Sequence, residues 1–179
     1  MRMPEPEVSL RLAIHLIDER LTATDVVVSI DGAHAKTGNT IHFDVKAFLA
    51  SLGWHPEVHS DRWQGKYGRN GNDRTILIHS QSGQGDVVAT LADGRQLLVE
   101  AKKGPLLRSS SSKEYPLLRE ALGQLLTLAV VPQNALLAVA VPHGERFIEL
   151  ARRWREAPLI QQAGIRILTV AQTGEVAGW

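Results

Sequence analysis

Three residues near the middle of the chain, Asp86, Glu100 and Lys102, have the types and spacing to act on a phosphodiester. Two carboxylates supply the hard oxygen ligands that Mg2+ or Mn2+ requires, and the carbonyl of Ala101, between the two charged side chains, can add another. A cation held there polarises a phosphate oxygen and lowers the pKa of an attacking water. Lys102 can then orient or deprotonate that water, or offset negative charge on the pentavalent transition state. Strand side chains repeat every two residues, so Glu100 and Lys102 leave one face together. Solvation alone does not require an acid and a base at the end of a strand that is otherwise apolar.

The elements that must position these residues begin with Ser82 to Gly104, which reads as two strands joined at Asp93-Gly94, a pair suited to a two-residue type I′ turn. Asp86 opens the first strand, and Glu100-Ala101-Lys102 closes the second. Upstream, the pattern predicts a helix from Val8 to Leu21 with Leu12, Leu16 and Ile17 inward, then a strand from Val26 to Ile30 and a loop from Ala33 to Thr40. A second helix runs from about Ile41 to Leu52, stopped by Gly53, and Glu57 to Trp63 reads as a strand. The glycine-rich run 64–73 reads as a loop, and Arg74 to His79 as a strand. Downstream, Pro105 to Ser112 is a connection whose serine run, Ser109 to Ser112, is either a flap or a solvated link. A helix follows from Pro116 to about Val130, with Leu118, Leu122, Leu125 and Ala129 inward. Next come a strand from Ala135 to Val141, helices from Glu145 to Trp154 and Leu159 to Ala163, and a strand from Ile165 to Val170. Hairpins followed by helical crossovers predict an α/β fold, a mixed central β-sheet flanked by α-helices with the central strand ends open to a cleft.

Composition bounds the reading. The chain has 179 residues, 44% of them hydrophobic, which suits one domain with a substantial core. Cysteine is absent, which excludes disulfides and thiolate metal sites and fits a cytoplasmic location. Pro4, Glu5, Pro6 and Glu7 stand where a signal peptide would need a basic flank and an apolar run, and no stretch approaches membrane-spanning length, so no membrane partner is expected. The net charge of +1 announces no nucleic-acid partner by itself. Between Arg95 and Arg119, however, Arg95, Lys102, Lys103, Arg108, Lys113 and Arg119 face only Glu100 and Glu114.

The residues GQGD at 83–86, their separation from EAK at 100–102, and a helix carrying Gly123-Gln124 resemble the PD-(D/E)XK, or restriction-endonuclease-like, nuclease superfamily. The resemblance covers roughly residues 42–141. It implies a restriction-endonuclease-like core sheet and hydrolysis of DNA, less often RNA, dependent on Mg2+ or Mn2+ and leaving 5′-phosphates. Asp86 would be the motif aspartate, Glu100 its second acid and Lys102 its lysine. The departure is Gly85, which stands where the motif has proline. The superfamily also includes members without catalysis, so the alternative is a nucleic-acid-binding or protein-interaction module on the same fold. Residues 1–40 precede the matching segment and are expected to extend a core spanning 41–179, supplying dimer contacts or substrate selection. A homodimer would place two sites on opposite strands of a duplex.

Other residues carry weaker signals. Gln124 can face the cleft and bind the water, the lysine or the DNA backbone, or it can be an ordinary surface polar residue. Asp44 can add a metal ligand or favour a helix N-terminus. Lys66, Tyr67, Arg69 and Arg74 can contact phosphates, with Tyr67 or Trp63 stacking on a base, and Lys103, Arg108 and Lys113 extend the same cationic set. The histidines at 15, 34, 42, 55, 59, 79 and 143 form no HExxH pair, and His59 with His79 across a sheet is a weaker reading than surface or hydrogen-bonded core histidines. The run GKYGRNGND lacks the GK[ST] ending of a phosphate loop, so an ATP motor would have to be a partner subunit.

Overall fold

The computed structural model describes residues 1–38, 40–81, 83, 85–108 and 113–179. In chain order its elements are β1 (Arg2–Met3), α1 (Glu5–Asp18), β2 (Val26–Ser29), α2 (Gly32–Ala35), β3 (Lys36–Thr37), β4 (Thr40–Ile41), α3 (Val45–Ser51), β5 (His55–Pro56), β6 (Gly65–Gly68) and β7 (Ile76–His79). There follow β8 (Val87–Thr90), β9 (Gln96–Ala101), β10 (Gly104–Pro105), α4 (Glu114–Leu126), β11 (Ala135–Pro142), α5 (Glu145–Arg155), α6 (Pro158–Gln162), β12 (Arg166–Val170) and β13 (Val176–Ala177). The serine run 109–112 lies outside the described residues.

One mixed sheet of nine strands, in the order β13-β12-β11-β9-β8-β2-β7-β6-β5, carries helices on both faces. Its interior pairs explain the sequence pattern. β9 runs antiparallel to β8 and parallel to β11 inside the sheet, and with α1 and α4 packed over it, it is buried along its length and reads as a nearly continuous apolar run. Val87, Ala89, Leu97, Val99 and Ala101 share a core with Leu10, Leu12, Ala13 and Leu16 of α1. Val139, Val141 and Ile167 face the other way, onto Leu118, Leu125, Phe147 and Leu150 of α4 and α5. Fully burying a leucine of this kind contributes about 1.5–3 kcal/mol, so the two helical layers fix the sheet between them. Among the described residues, no helix is long and apolar enough to cross a membrane.

Several local expectations change. α1 starts at Glu5, not Val8, because Pro6 suits the first turn and Glu5 and Glu7 favour the helix N-terminus. The segment expected as an extension is interior: β2 lies between β8 and β7, and Met3 of β1 is fully buried. Residues 33–41 hold the short helix α2 and the strands β3 and β4, where a loop is predicted. Asp44 caps α3 through the Ala47 N–H at 2.9 Å, so that helix begins at Val45 rather than Ile41. The strand predicted over Glu57 to Trp63 is not one. Its place is taken by β6, inside the glycine-rich run, because Tyr67 is buried and the backbone pairs with β7.

The β8–β9 turn also differs. Leu91 carbonyl accepts from Gly94 N–H at 2.9 Å and Leu91 N–H donates to Arg95 at 2.8 Å. Only Gly94, at φ 86°, takes a positive φ there, whereas a type I′ turn needs Asp93 there too. The loop therefore has three residues instead of two, and the register pairs Val87 with Val99. A two-residue turn would shift that register by one and set Val87 against Glu100, with the two apolar faces out of phase.

Candidate active site

The carboxyl ends of β2 and β9 and the amino end of β8 meet at one edge of the sheet, beside the first turn of α1 and one face of α4. In open α/β sheets this is where ligands collect. Here the edge opens into a cleft of about 640 Å3 that contains Asp86, Glu100, Lys102, Lys103 and Gln124 together. Five of the residues named from sequence are thus brought to one place by the β8–β9 hairpin and the helix α4 that follows it.

Asp86 ends the β8–β9 ladder. Its N–H donates to Val99 at 2.8 Å, and its carboxylate accepts the Ala101 N–H at 2.8 Å, in place of a further strand partner. Gly85 makes this exit possible. Its φ of 127° is closed to proline, whose ring holds φ near −65°, and a Cβ there would lie 2.8 Å from the Val99 carbonyl oxygen. Glycine rather than proline at position 85 is therefore dictated by this chain's own backbone.

The carboxyls of Asp86 and Glu100 both line this cleft, near enough for the charge of one to disfavour the other's. Burial pushes Asp86 up to about 6, partly offset by the Ala101 N–H, with the charge of Glu5 adding to the rise. Glu100 is pushed up to about 7, first by burial and then by the Asp86 charge, with Lys102 opposing. Like charges placed together out of water disfavour their own ionisation, and a bound cation reverses that. The donor set fits a small hard cation. Two carboxylates with a backbone carbonyl suit Mg2+, which keeps several waters and needs few protein ligands. Among the described residues, no three His, Asp or Glu side chains are grouped to hold a metal, so water and substrate oxygens would complete the shell.

Lys102 is only 6% exposed. Its ammonium lies 3.4 Å from Glu120 and 3.8 Å from Glu5, so it is held from two sides. Glu5 also takes the Nδ1 of His34 at 3.3 Å. Neither Glu5, Glu120 nor His34 was marked by the sequence as part of a site. Glu5 arrives through β1, which pairs with β10 just beyond Lys103 (Met3 with Gly104), a long-range contact with no local signature. Glu120 had a usable signal, because it lies four residues before Gln124 and shares its helix face.

The other expectations separate. Asp44 is exposed at its helix cap and does not join the cleft. Tyr67 is 1% exposed with its hydroxyl donated to the Trp63 carbonyl at 2.8 Å, which removes it as a stacking residue. Lys66, Arg69 and Arg74 lie toward the opposite end of the strands, paired with Asp25 and Glu57, with Asp18, and with Asp73. Arg108 is exposed and pairs with Glu149, while Lys113 precedes α4. His79 accepts from the Gln81 N–H at 3.3 Å and makes no site with His59.

Comparison of the chain with known protein families, with curated proteins and with solved structures finds no match in any of the three. The site is therefore read from its own residues.

Proposed function

We propose that the chain is a divalent-metal-dependent nuclease of the PD-(D/E)XK type, with a restriction-endonuclease-like fold, which cuts DNA within the strand and leaves 5′-phosphates. The observation that carries this reading is a half-buried Asp86 carboxyl and a buried Glu100 carboxyl gathered at a strand end in one cleft beside a buried lysine. Structural ion pairs place opposite charges together, and a like-charged pair is retained where something cationic is to be held.

Asp86, Glu100 and the Ala101 carbonyl would hold Mg2+ or Mn2+. Such an ion, when bound, supplies Lewis acidity toward a phosphate oxygen and an acidified water. Asp86 is fixed for this task by the Ala101 N–H, which sets the direction of its carboxylate. The Lys102 ammonium offers positive charge and hydrogen bonds at the same spot, oriented by Glu5 and Glu120. Gln124 adds a neutral amide on the α4 wall, able to bond a water or a phosphate oxygen without changing the local charge.

The reading is tested by incubating the parent protein and Glu100→Gln with end-labelled duplex DNA in Mg2+ and in Mn2+, and identifying the product ends. Metal-dependent internal cuts bearing 5′-phosphates, absent from a folded Glu100→Gln, are expected. Cutting that survives in Glu100→Gln or in EDTA would overturn it, and cleavage of RNA alone would move the substrate.

A further inference from the structure

β3 and β4 pair only with each other and belong to no larger sheet. Lys36, Thr37, Thr40 and Ile41 are all exposed, Ile41 at 60%. An isolated two-stranded ribbon is marginal in water, so its root must hold it. The root is well fastened: Asp31 accepts the Ala33 N–H at 2.9 Å, Ala35 is buried, and the Ala35 carbonyl receives the N–H groups of His42 and Phe43 at 2.9 and 3.2 Å. The register sets Lys36 opposite Ile41 and Thr37 opposite Thr40, giving one face a cation and an apolar side chain and the other two hydroxyl-bearing residues.

This ribbon rises from the rim of the cleft. His34, two residues before β3, lines both the cleft and an adjoining groove of about 310 Å3, and the two spaces also share Glu5 and Lys103. His42, just after β4, lines that second groove. From Gly32 to Phe43 the sequence contains no carboxylate, and the flanking Asp31 and Asp44 are each engaged in capping a helix. The projecting surface is therefore free of the acids that crowd the cleft floor.

We infer that the ribbon enters a groove of double-helical DNA beside the scissile phosphate, so that the substrate is duplex; this rests on the nuclease reading above. Strands about 4.8 Å apart, rising about 3.3 Å per residue, fit a major groove about 12 Å wide and about 8.5 Å deep. Lys36 meets phosphate or base acceptors, the threonine hydroxyls bond base edges, and Ile41 contacts a thymine methyl. A single strand offers no groove to receive such a ribbon.

The test is fluorescence anisotropy of a labelled duplex and of its single strand, in Ca2+ without Mg2+, with the parent and with the double variant Lys36→Ala/Ile41→Ser. Both positions are exposed, and a thermal melt of the variant checks its fold. Tighter binding of duplex than of single strand is expected, weakened about tenfold or more in the variant, with a salt slope shallower by about one unit. Equal duplex binding by parent and variant, a preference for the single strand, or no binding to either would overturn the inference. Adding Mg2+ to the same samples separates the two readings. Cleavage with unchanged binding in the variant leaves the nuclease and removes the ribbon, whereas variant-sensitive binding without cleavage does the reverse.

Discussion

The two ends of the central sheet treat charge in opposite ways. At the amino ends of β2 and β7, Lys66 lies 3.2 Å from Asp25 and 3.8 Å from Glu57, Arg74 lies 2.8 Å from Asp73, and Arg69 meets Asp18. Burial pushes the Asp25 carboxyl up, but the Thr75 N–H and Lys66 outweigh it and hold Asp25 below the usual carboxylate range. At the other end, Asp86 and Glu100 oppose one another and both are pushed up. Complementary pairs need nothing further, whereas the second arrangement opposes folding unless a cation joins it. That difference separates two sets of charged residues that look alike in sequence.

The strongest way to break the contrast is Glu100→Gln, which removes the like charge at one end only. Cleavage should fall about a thousandfold or more, read as kcat/KM on duplex DNA. A close second is Gly85→Pro, at the exit of Asp86. It should destabilise by about 3 kcal/mol or more in urea unfolding, because φ must leave 127° and a Cβ must displace the Val99 carbonyl.

Stability against pH sharpens the contrast. A carboxyl whose folded pKa is raised opposes folding only when ionised. The contribution of this pair to the stability of the metal-free protein should therefore be fully present below the ordinary carboxylate values of 3.8 and 4.5 and be lost as pH rises through about 6 and about 7. The loss is on the order of 2–3 kcal/mol for the coupled pair, and Glu100→Gln should flatten the profile. Mg2+ at about a hundred times its Kd should return roughly 2.7 kcal/mol at pH 8, visible as a rise of several degrees in Tm that Glu100→Gln loses. If the parent and Glu100→Gln instead show the same dependence of Tm on pH between 5 and 8 without metal, the raised carboxyls are not as described. The smallest effect belongs to the satisfied end: Lys66→Ala should leave cleavage within about twofold and the salt slope of DNA binding unchanged.

Much of the sheet was legible from periodicity. β9 and β11 are long apolar runs, and Leu12, Leu16, Leu118 and Leu125, read as inward at helical spacing, fall in the core, whereas Leu122 is half-buried and Ala129 is exposed beyond the end of α4. β6 was not legible, because glycines frame a four-residue strand whose only strong signal is Tyr67. At the site, Asp86, Glu100 and Lys102 share one hairpin, and the local pattern suffices to bring them together. Glu5 and His34 join them through the β1–β10 pairing and the fold of α2 near α1, contacts across some hundred residues or between elements that local spacing does not link. That Lys66 and Arg69 lie away from the cleft was not legible for the same reason: their acidic partners at Asp25, Glu57 and Asp18 are supplied by tertiary structure.

Nicking and linearisation of supercoiled plasmid by the parent protein in Mg2+ or Mn2+, beside EDTA and a folded Lys102→Ala purified identically, reads out the nuclease chemistry itself. Metal-dependent conversion of supercoiled to open-circular or linear plasmid by the parent alone is expected. Equal conversion by Lys102→Ala, or an intact plasmid with folded parent protein across both metals, would contradict it.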